Sequence, residues 1–153
     1  MKAPVTDAGK ILATAAARGL QKALPYAGEV TPQEAYSLYS TVGARIVDVR
    51  SRFECEYIGR VPGSSLIEWK HWPSGVLNAN FLPELRRQCR SDEVVLFLCR
   101  SGVRSHATAA VAAEAGYLQA YNILEGFEGD LDRQQQRGRI GGWRLAGLPW
   151  CQS

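Results

Sequence analysis

Glu93-Val94-Val95-Leu96-Phe97-Leu98-Cys99-Arg100-Ser101-Gly102-Val103-Arg104-Ser105 joins an unbroken apolar run to a short cationic loop. The run is too short for a typical helix and is bounded by polar residues, which suits a strand. It does not alternate polar with apolar side chains. A strand that is apolar on both faces has to be covered on both faces, the condition of a parallel sheet between helices. Residues 105–115, rich in alanine and stopped by Gly116, read as the helix that follows. The loop from Cys99 to Ser105 is therefore expected at a strand-to-helix junction. In open α/β sheets, ligands bind at such carboxyl ends of strands.

The flanking chain repeats the alternation. Residues 29–31 read as the end of a strand, and Thr31-Pro32-Gln33-Glu34 as a helix start, with Thr as N-cap and Pro at the first helical position. That helix is expected to run to Gly43. Arg45-Ile46-Val47-Asp48-Val49 is a short β-branched strand, and residues 51–57 a short helix or turn. Ser65-Leu66-Ile67-Glu68 is a third strand after the breaker Pro62-Gly63, residues 83–89 a helix, and Tyr121-Asn122-Ile123-Leu124-Glu125 a fifth strand. The predicted class is α/β, a five-stranded, mostly parallel sheet with helices on both faces.

Ahead of this unit, Ile11, Leu12, Ala15, Ala16, Gly19, Leu20, Ala23 and Leu24 recur at helical spacing up to Pro25. Thr14, Arg18, Gln21 and Lys22 interrupt any apolar core of a signal peptide, and a single Arg argues against a transit peptide. Residues 1–28 are read as an amphipathic helix and linker, packed on the domain or on a second copy, and residues 29–153 as the domain itself.

Composition excludes other classes. With 153 residues, 46% hydrophobic and 22% charged, the chain matches one ordinary globular domain, so disorder and fibrous repeats are set aside. Eighteen Lys and Arg against fifteen Asp and Glu leave a net charge of +3, with no basic stripe, so neither nucleic acid nor an anionic surface is an expected partner. No stretch of roughly 18 apolar residues occurs to span a membrane. Cys55, Cys89, Cys99 and Cys151 stand singly, which fits neither a disulfide framework nor a zinc site.

Among the four, Cys99 has a chemical setting of its own. A helix N-terminus, loop amides turned inward by Gly102, and the charges of Arg100 and Arg104 all favour a thiolate over a thiol. The same features make an anion site, so an anionic substrate or intermediate is expected. Cys55, Cys89 and Cys151 read as fillers, and His71 and His106 are not needed as bases.

The loop Cys99-Arg100-Ser101-Gly102-Val103-Arg104-Ser105 resembles the active-site loop of the rhodanese, or thiosulfate sulfurtransferase, family. Other stretches resemble the family in the same order. They are Ile46-Val47-Asp48-Val49-Arg50, the turn Gly59-Arg60-Val61-Pro62-Gly63-Ser64, the segment Asn122-Ile123-Leu124-Glu125-Gly126-Phe127, and the ending Gly142-Trp143 with Ala146-Gly147-Leu148-Pro149-Trp150. The resemblance spans residues 29–151. Arg60 stands where the family usually has His, the spacing from Arg50 to Gly59 leaves Glu54 and Glu56 both open as the usual acidic residue, and residues 133–142 are no family hallmark.

The resemblance implies a sulfurtransferase in which Cys99 carries a sulfane sulfur as a persulfide. Arg100, Ser101, Gly102, Val103, Arg104 and Ser105 would bind the donor, with Asp48 and Arg50 in support. It implies no metal or organic cofactor. The implied partners are a small anionic sulfur donor and a protein thiol among the acceptors, with the chain a monomer or homodimer. A related group, the cysteine-dependent phosphatases and arsenate reductases, places an arginine six positions after the cysteine, whereas here the sixth position is Ser105 and Arg104 is the fifth. The shorter loop suits a sulfur atom better than a phosphate. A non-catalytic rhodanese-like interaction or regulatory module is the other alternative; retention of Cys99 and both arginines favours the enzyme. Free thiols and the absence of a signal sequence point to the cytoplasm.

Overall fold

Alternating strands and helices build one parallel sheet. The structure, a computed structural model, describes residues 7–152. In chain order the elements are α1 (Ala8–Gln21), β1 (Gly28–Val30), α2 (Pro32–Val42), β2 (Arg45–Asp48), α3 (Arg52–Tyr57), β3 (Ser65–Leu66), α4 (Phe81–Gln88), β4 (Val95–Leu98), α5 (Val103–Glu114) and β5 (Ala120–Ile123). The five strands are ordered β1-β5-β4-β2-β3 and every pairing is parallel. The expected class is therefore met, with all five strands in the same direction.

The period-two alternation of side chains splits the core into two layers. Leu96 and Leu98 of β4 join Ile46, Val30 and Ile123 under Ile11 and Ala15 of α1 and Ala35 and Leu38 of α2. Val95 and Phe97 point the other way and join Val47, Leu85 of α4, and Ala109 and Ala112 of α5. This two-sided burial is the reason the run from Val94 reads as continuously apolar.

Local signals act as expected at several ends. Thr31 caps α2 in a reciprocal capping box with Glu34, Pro32 opens the helix, and Gly43 closes it at φ +70°. Gly116 follows α5 at φ +105°. Elsewhere the structure departs from the pattern. The strand expected over residues 65–68 is only two residues long, because the chain continues beside β2 irregularly through Ile67 N–H to Asp48 (2.9 Å) and Trp69 N–H to Val49 (3.1 Å).

The N-terminal helix ends at Gln21 rather than at Pro25, and Leu20 is exposed instead of buried. Its docking face is made of small residues. A Cβ on Gly19 would lie 2.7 Å from the Ala27 carbonyl, and one on Gly28 would lie 2.1 Å from the Ala15 carbonyl. Backbone therefore lies on backbone where α1 meets β1. Residues 1–6 of the segment read as helix and linker fall outside the described residues.

This contact gives a stability test. Gly28→Ala has no room and must lift α1 from β1, which is expected to destabilise the fold by about 1–3 kcal/mol. A lowered urea midpoint with an unchanged denaturant slope is the expected reading.

Candidate active site

β2, β4 and β5 end at one edge of the sheet, so the segments after them converge. Cys99 directly follows β4, and α5 begins at Val103. The turn between them is made possible by Gly102 at φ +110°, a conformation that a side chain would strain. Gly102 N–H donates to Cys99 Sγ at 3.0 Å, and Ser105 Oγ, one turn into the helix, lies 3.2 Å from the same sulfur. Gly126, at φ +67°, supports the loop from below: a Cβ there would meet the Arg100 backbone at 2.4 Å. Phe127 N–H also donates to the Cys99 carbonyl at 2.8 Å, tying the loop to the segment after β5.

The two arginines of the loop part company. Arg100 is exposed. Arg104 is committed to a bidentate pair with Glu54, both contacts at 2.8 Å. Glu54 also accepts from the Ser51 amide in the capping box that starts α3. Burial pushes the Glu54 carboxyl up, but the hydrogen bonds from Arg104 and Ser51 and the Arg104 charge outweigh it and hold it at about 2. Of the two acidic residues left open by the sequence, Glu54 is the one that meets the loop arginine. The pattern Ser51-x-x-Glu54 before a short helix was the signal available for it.

A pH dependence follows from this pair. A carboxyl held below its ordinary 4.5 contributes stability that is complete above that value and lost as the pH falls toward about 2. Glu54→Gln is expected to unfold at lower urea than the wild type at pH 7. The difference should shrink below pH 4.5 and vanish near pH 2, which urea titrations across that range measure directly.

Asp48 and Arg50 form a separate, deeper pair. Arg50 is 0% and Asp48 1% exposed, and Arg50 Nη2 donates to Asp48 at 2.7 Å and to the Gly59 carbonyl at 2.8 Å. The guanidinium lies over the Phe127 ring, 4.3 Å from its centre. Burial pulls the Arg50 guanidinium down, and the Asp48 charge and hydrogen bonds more than restore it, so it stays charged. The pair therefore braces the Phe127 segment on which the Cys99 loop rests, and it does not face the cleft.

The other cysteines differ from Cys99 in setting. Burial, with the Asp48 charge adding to it, pushes the Cys55 thiol up to about 12, and burial raises that of Cys89. Neither is suited to nucleophilic work at neutral pH. Cys151 pairs through its backbone with Arg60.

A cleft of about 460 Å³ opens over the loop, lined by Ser51, Phe53, Glu54, Lys70, Trp72, Arg100 and Arg104 among others. Cys99 is 1% exposed and lies beneath this lining rather than in it. Trp72 is exposed and stacks on Phe53, with ring centres 5.3 Å apart and planes 11° from parallel. Of the tetrapeptide Trp69-Lys70-His71-Trp72, the last three residues reach the cleft, while Trp69 turns inward against Phe81. His71 pairs with Glu68, and His106 with the Tyr26 hydroxyl. Val103 is exposed, Ser105 is fully buried and Ser101 is half-buried. Asn122 carries no local motif that marks it as a site residue; it reaches the loop because β5 pairs beside β4. Among the described residues, no group of His, Cys, Asp and Glu is placed to hold a metal ion, and no helix is long and apolar enough to cross a membrane.

Known proteins share this architecture. The crystal structure of Rv0390 from M. tuberculosis superposes with a TM-score of 0.75 at 44% identity, covering 84% of this chain and 99% of that one. An uncharacterized protein of Rickettsia conorii, RC0915, is 33% identical over 116 residues, 74% of this chain and 87% of its own length. A protein named thiosulfate sulfurtransferase GlpE, from Actinobacillus succinogenes, is 28% identical over 121 residues, 79% of this chain and 87% of its own. The family described as Rhodanese-like domain matches residues 31–132, from the cap of α2 to beyond β5 and including the whole Cys99 loop, and the chain belongs to that family.

Proposed function

We propose that this protein is a sulfurtransferase that carries a sulfane sulfur on Cys99. The observation that carries the reading is the sulfur's setting: at the N-terminus of α5 it receives the Gly102 N–H at 3.0 Å, with Ser105 Oγ at 3.2 Å. An amide and a helix end aimed at one atom stabilise negative charge on it. They favour the thiolate form of Cys99.

The chemistry is covalent catalysis. The Cys99 thiolate attacks the outer sulfur of thiosulfate. The bond between that sulfur and the sulfonate breaks, and sulfite leaves with the electron pair. Cys99 is left as a persulfide anion. An acceptor nucleophile, cyanide in an assay or a thiol in the cell, then attacks the outer sulfur, and Cys99 departs as thiolate. Arg100, exposed at the cleft, is the cation that meets the donor, with Lys70 lining the same cleft. Ser101, Gly102 and Val103 supply the loop backbone, and Ser105 the hydroxyl at the sulfur. Arg104 acts through Glu54 to hold the loop against α3.

Loop length weighs against phosphate chemistry: Arg104 is the fifth residue after Cys99, and the sixth, where a loop that wraps a phosphate carries its arginine, is Ser105. The named relative GlpE supports sulfur transfer in the same direction. A reduced Cys99 fits a cytoplasmic location, where thiols are kept free.

Three measurements on one preparation test the reading: thiosulfate:cyanide transfer, phosphatase turnover, and intact mass after thiosulfate. Transfer, no phosphatase turnover, and a gain of one sulfur atom are expected. A folded protein that gains no mass and transfers no sulfur overturns it.

A further inference from the structure

Asn122, on β5 and only 4% exposed, bridges two parts of the site. Its Nδ2 donates to the Gly102 carbonyl at 3.2 Å, and its Oδ1 lies 2.5 Å from Ser105 Oγ. A carbonyl can only accept, so the Gly102 contact fixes which end of the amide faces Ser105. The amide oxygen also can only accept. Ser105 has one proton, and at this separation it points at Asn122.

That direction has a consequence for the sulfur. With its proton on Asn122, Ser105 offers Cys99 a lone pair, at 3.2 Å. A lone pair suits a thiol, whose S–H donates to it, and opposes a thiolate. A thiolate needs the hydroxyl proton turned toward sulfur, which leaves Asn122 Oδ1 without its donor. The Ser105 hydroxyl thus has two settings, one for each form of Cys99.

We propose that Asn122 is a positioning residue that directs the Ser105 hydroxyl and, through it, sets the balance between thiol and thiolate at Cys99. The inference rests on the reading of Cys99 as the nucleophile. On deprotonation the Cys99 proton passes to solvent buffer and the Ser105 proton rotates to sulfur, leaving Asn122 Oδ1 without its donor. The charged and titratable groups around the loop are Arg100, Arg104 with Glu54, the Asp48–Arg50 pair, Lys70, His71 and Glu128 at the cleft, and His106 and Tyr26 behind Asn122. All of them are retained in Asn122→Leu.

The test is a pH titration of thiolate ultraviolet absorbance, with the Cys99→Ser signal subtracted, so that sulfur transfer is not involved. Asn122→Leu frees Ser105 for the sulfur and is expected to move the midpoint down by about one pH unit, a tenfold change in equilibrium. Asn122→Ala, which also removes the acceptor, is expected to move it down as well. General loosening of the site would not depend on Ser105. In a Ser105→Ala background both shifts should disappear. A wild-type step that ignores both substitutions, or shifts that persist without Ser105, overturn the Asn122 assignment alone. A wild-type titration with no Cys99 step overturns the nucleophile reading along with it. Should Asn122→Leu not fold, Asn122→Ala with and without Ser105→Ala decides the matter.

Discussion

Cys99→Ser is expected to lower sulfur transfer by roughly a thousandfold or more while leaving the fold in place. The substitution is nearly isosteric, and a serine oxygen can still accept from Gly102 N–H, which meets the native sulfur at 3.0 Å. What it removes is the only atom at the loop's centre able to form and then release a sulfur–sulfur bond. A hydroxyl at neutral pH is a far weaker nucleophile than a thiolate. Cys55 and Cys89 are not suited to take over. Cys55 is buried against Asp48, which with burial pushes its thiol up to about 12, and Cys89 is buried under α4. The measurements are thiosulfate:cyanide transfer, intact mass after thiosulfate, and thermal unfolding. Loss of transfer and of the mass gain, with unchanged unfolding, is the expected result. A Cys99→Ser protein that still gains one sulfur would move the chemistry to another residue.

The second large effect is on stability. Asp48→Ala is expected to destabilise the protein by about 3–5 kcal/mol, because it leaves a buried guanidinium without its counter-charge. Arg50 has few other partners: the Gly59 carbonyl at 2.8 Å, a long contact to Cys55, and the Phe127 face at 4.3 Å; its Nη1 has no hydrogen-bond partner. Total stabilities of domains this size are about 5–15 kcal/mol, so the loss is a large share of the whole. The double variant Asp48→Leu with Arg50→Met removes both charges and keeps apolar volume. It is expected to be more stable than Asp48→Ala alone, since breaking a buried pair costs more than replacing it. Urea unfolding of the wild type and both variants checks the order. A double variant less stable than the single one would mean that Arg50 holds Phe127 and Gly59 by contacts that an apolar chain cannot supply.

Much of this architecture was legible in short windows of sequence. The unbroken run before Cys99 announced a strand buried on both faces, and Leu96 and Phe97 do point into opposite layers. The caps at Thr31 and Gly43 marked the ends of α2 because each satisfies a backbone need within a few residues. Pattern fails where packing overrides it. Leu20 fits the apolar repeat of α1, yet it is exposed, because the helix docks through Gly19 and Ala15 where small residues allow close backbone approach. β3 is two residues long although its sequence continues as a strand should, since Ile67 bonds to Asp48 and Trp69 to Val49, two residues of advance against one, which breaks the register.

The site divides along the same line. The residue types and spacing from Cys99 to Ser105 carry their own chemistry: a sulfur, a glycine that permits the turn, a helix start and two cations, all within reach of one another along the chain. Who partners whom was not in that window. That Arg104 is claimed by Glu54, fifty residues upstream, and Arg100 left to the cleft depends on α3 lying beside the loop. That Ser105 answers to Asn122 depends on β5 pairing next to β4. Local sequence specifies conformations that are satisfied by neighbours in the chain. The protonation, charge pairing and accessibility of side chains are set by neighbours in space, and only the folded sheet brings those together.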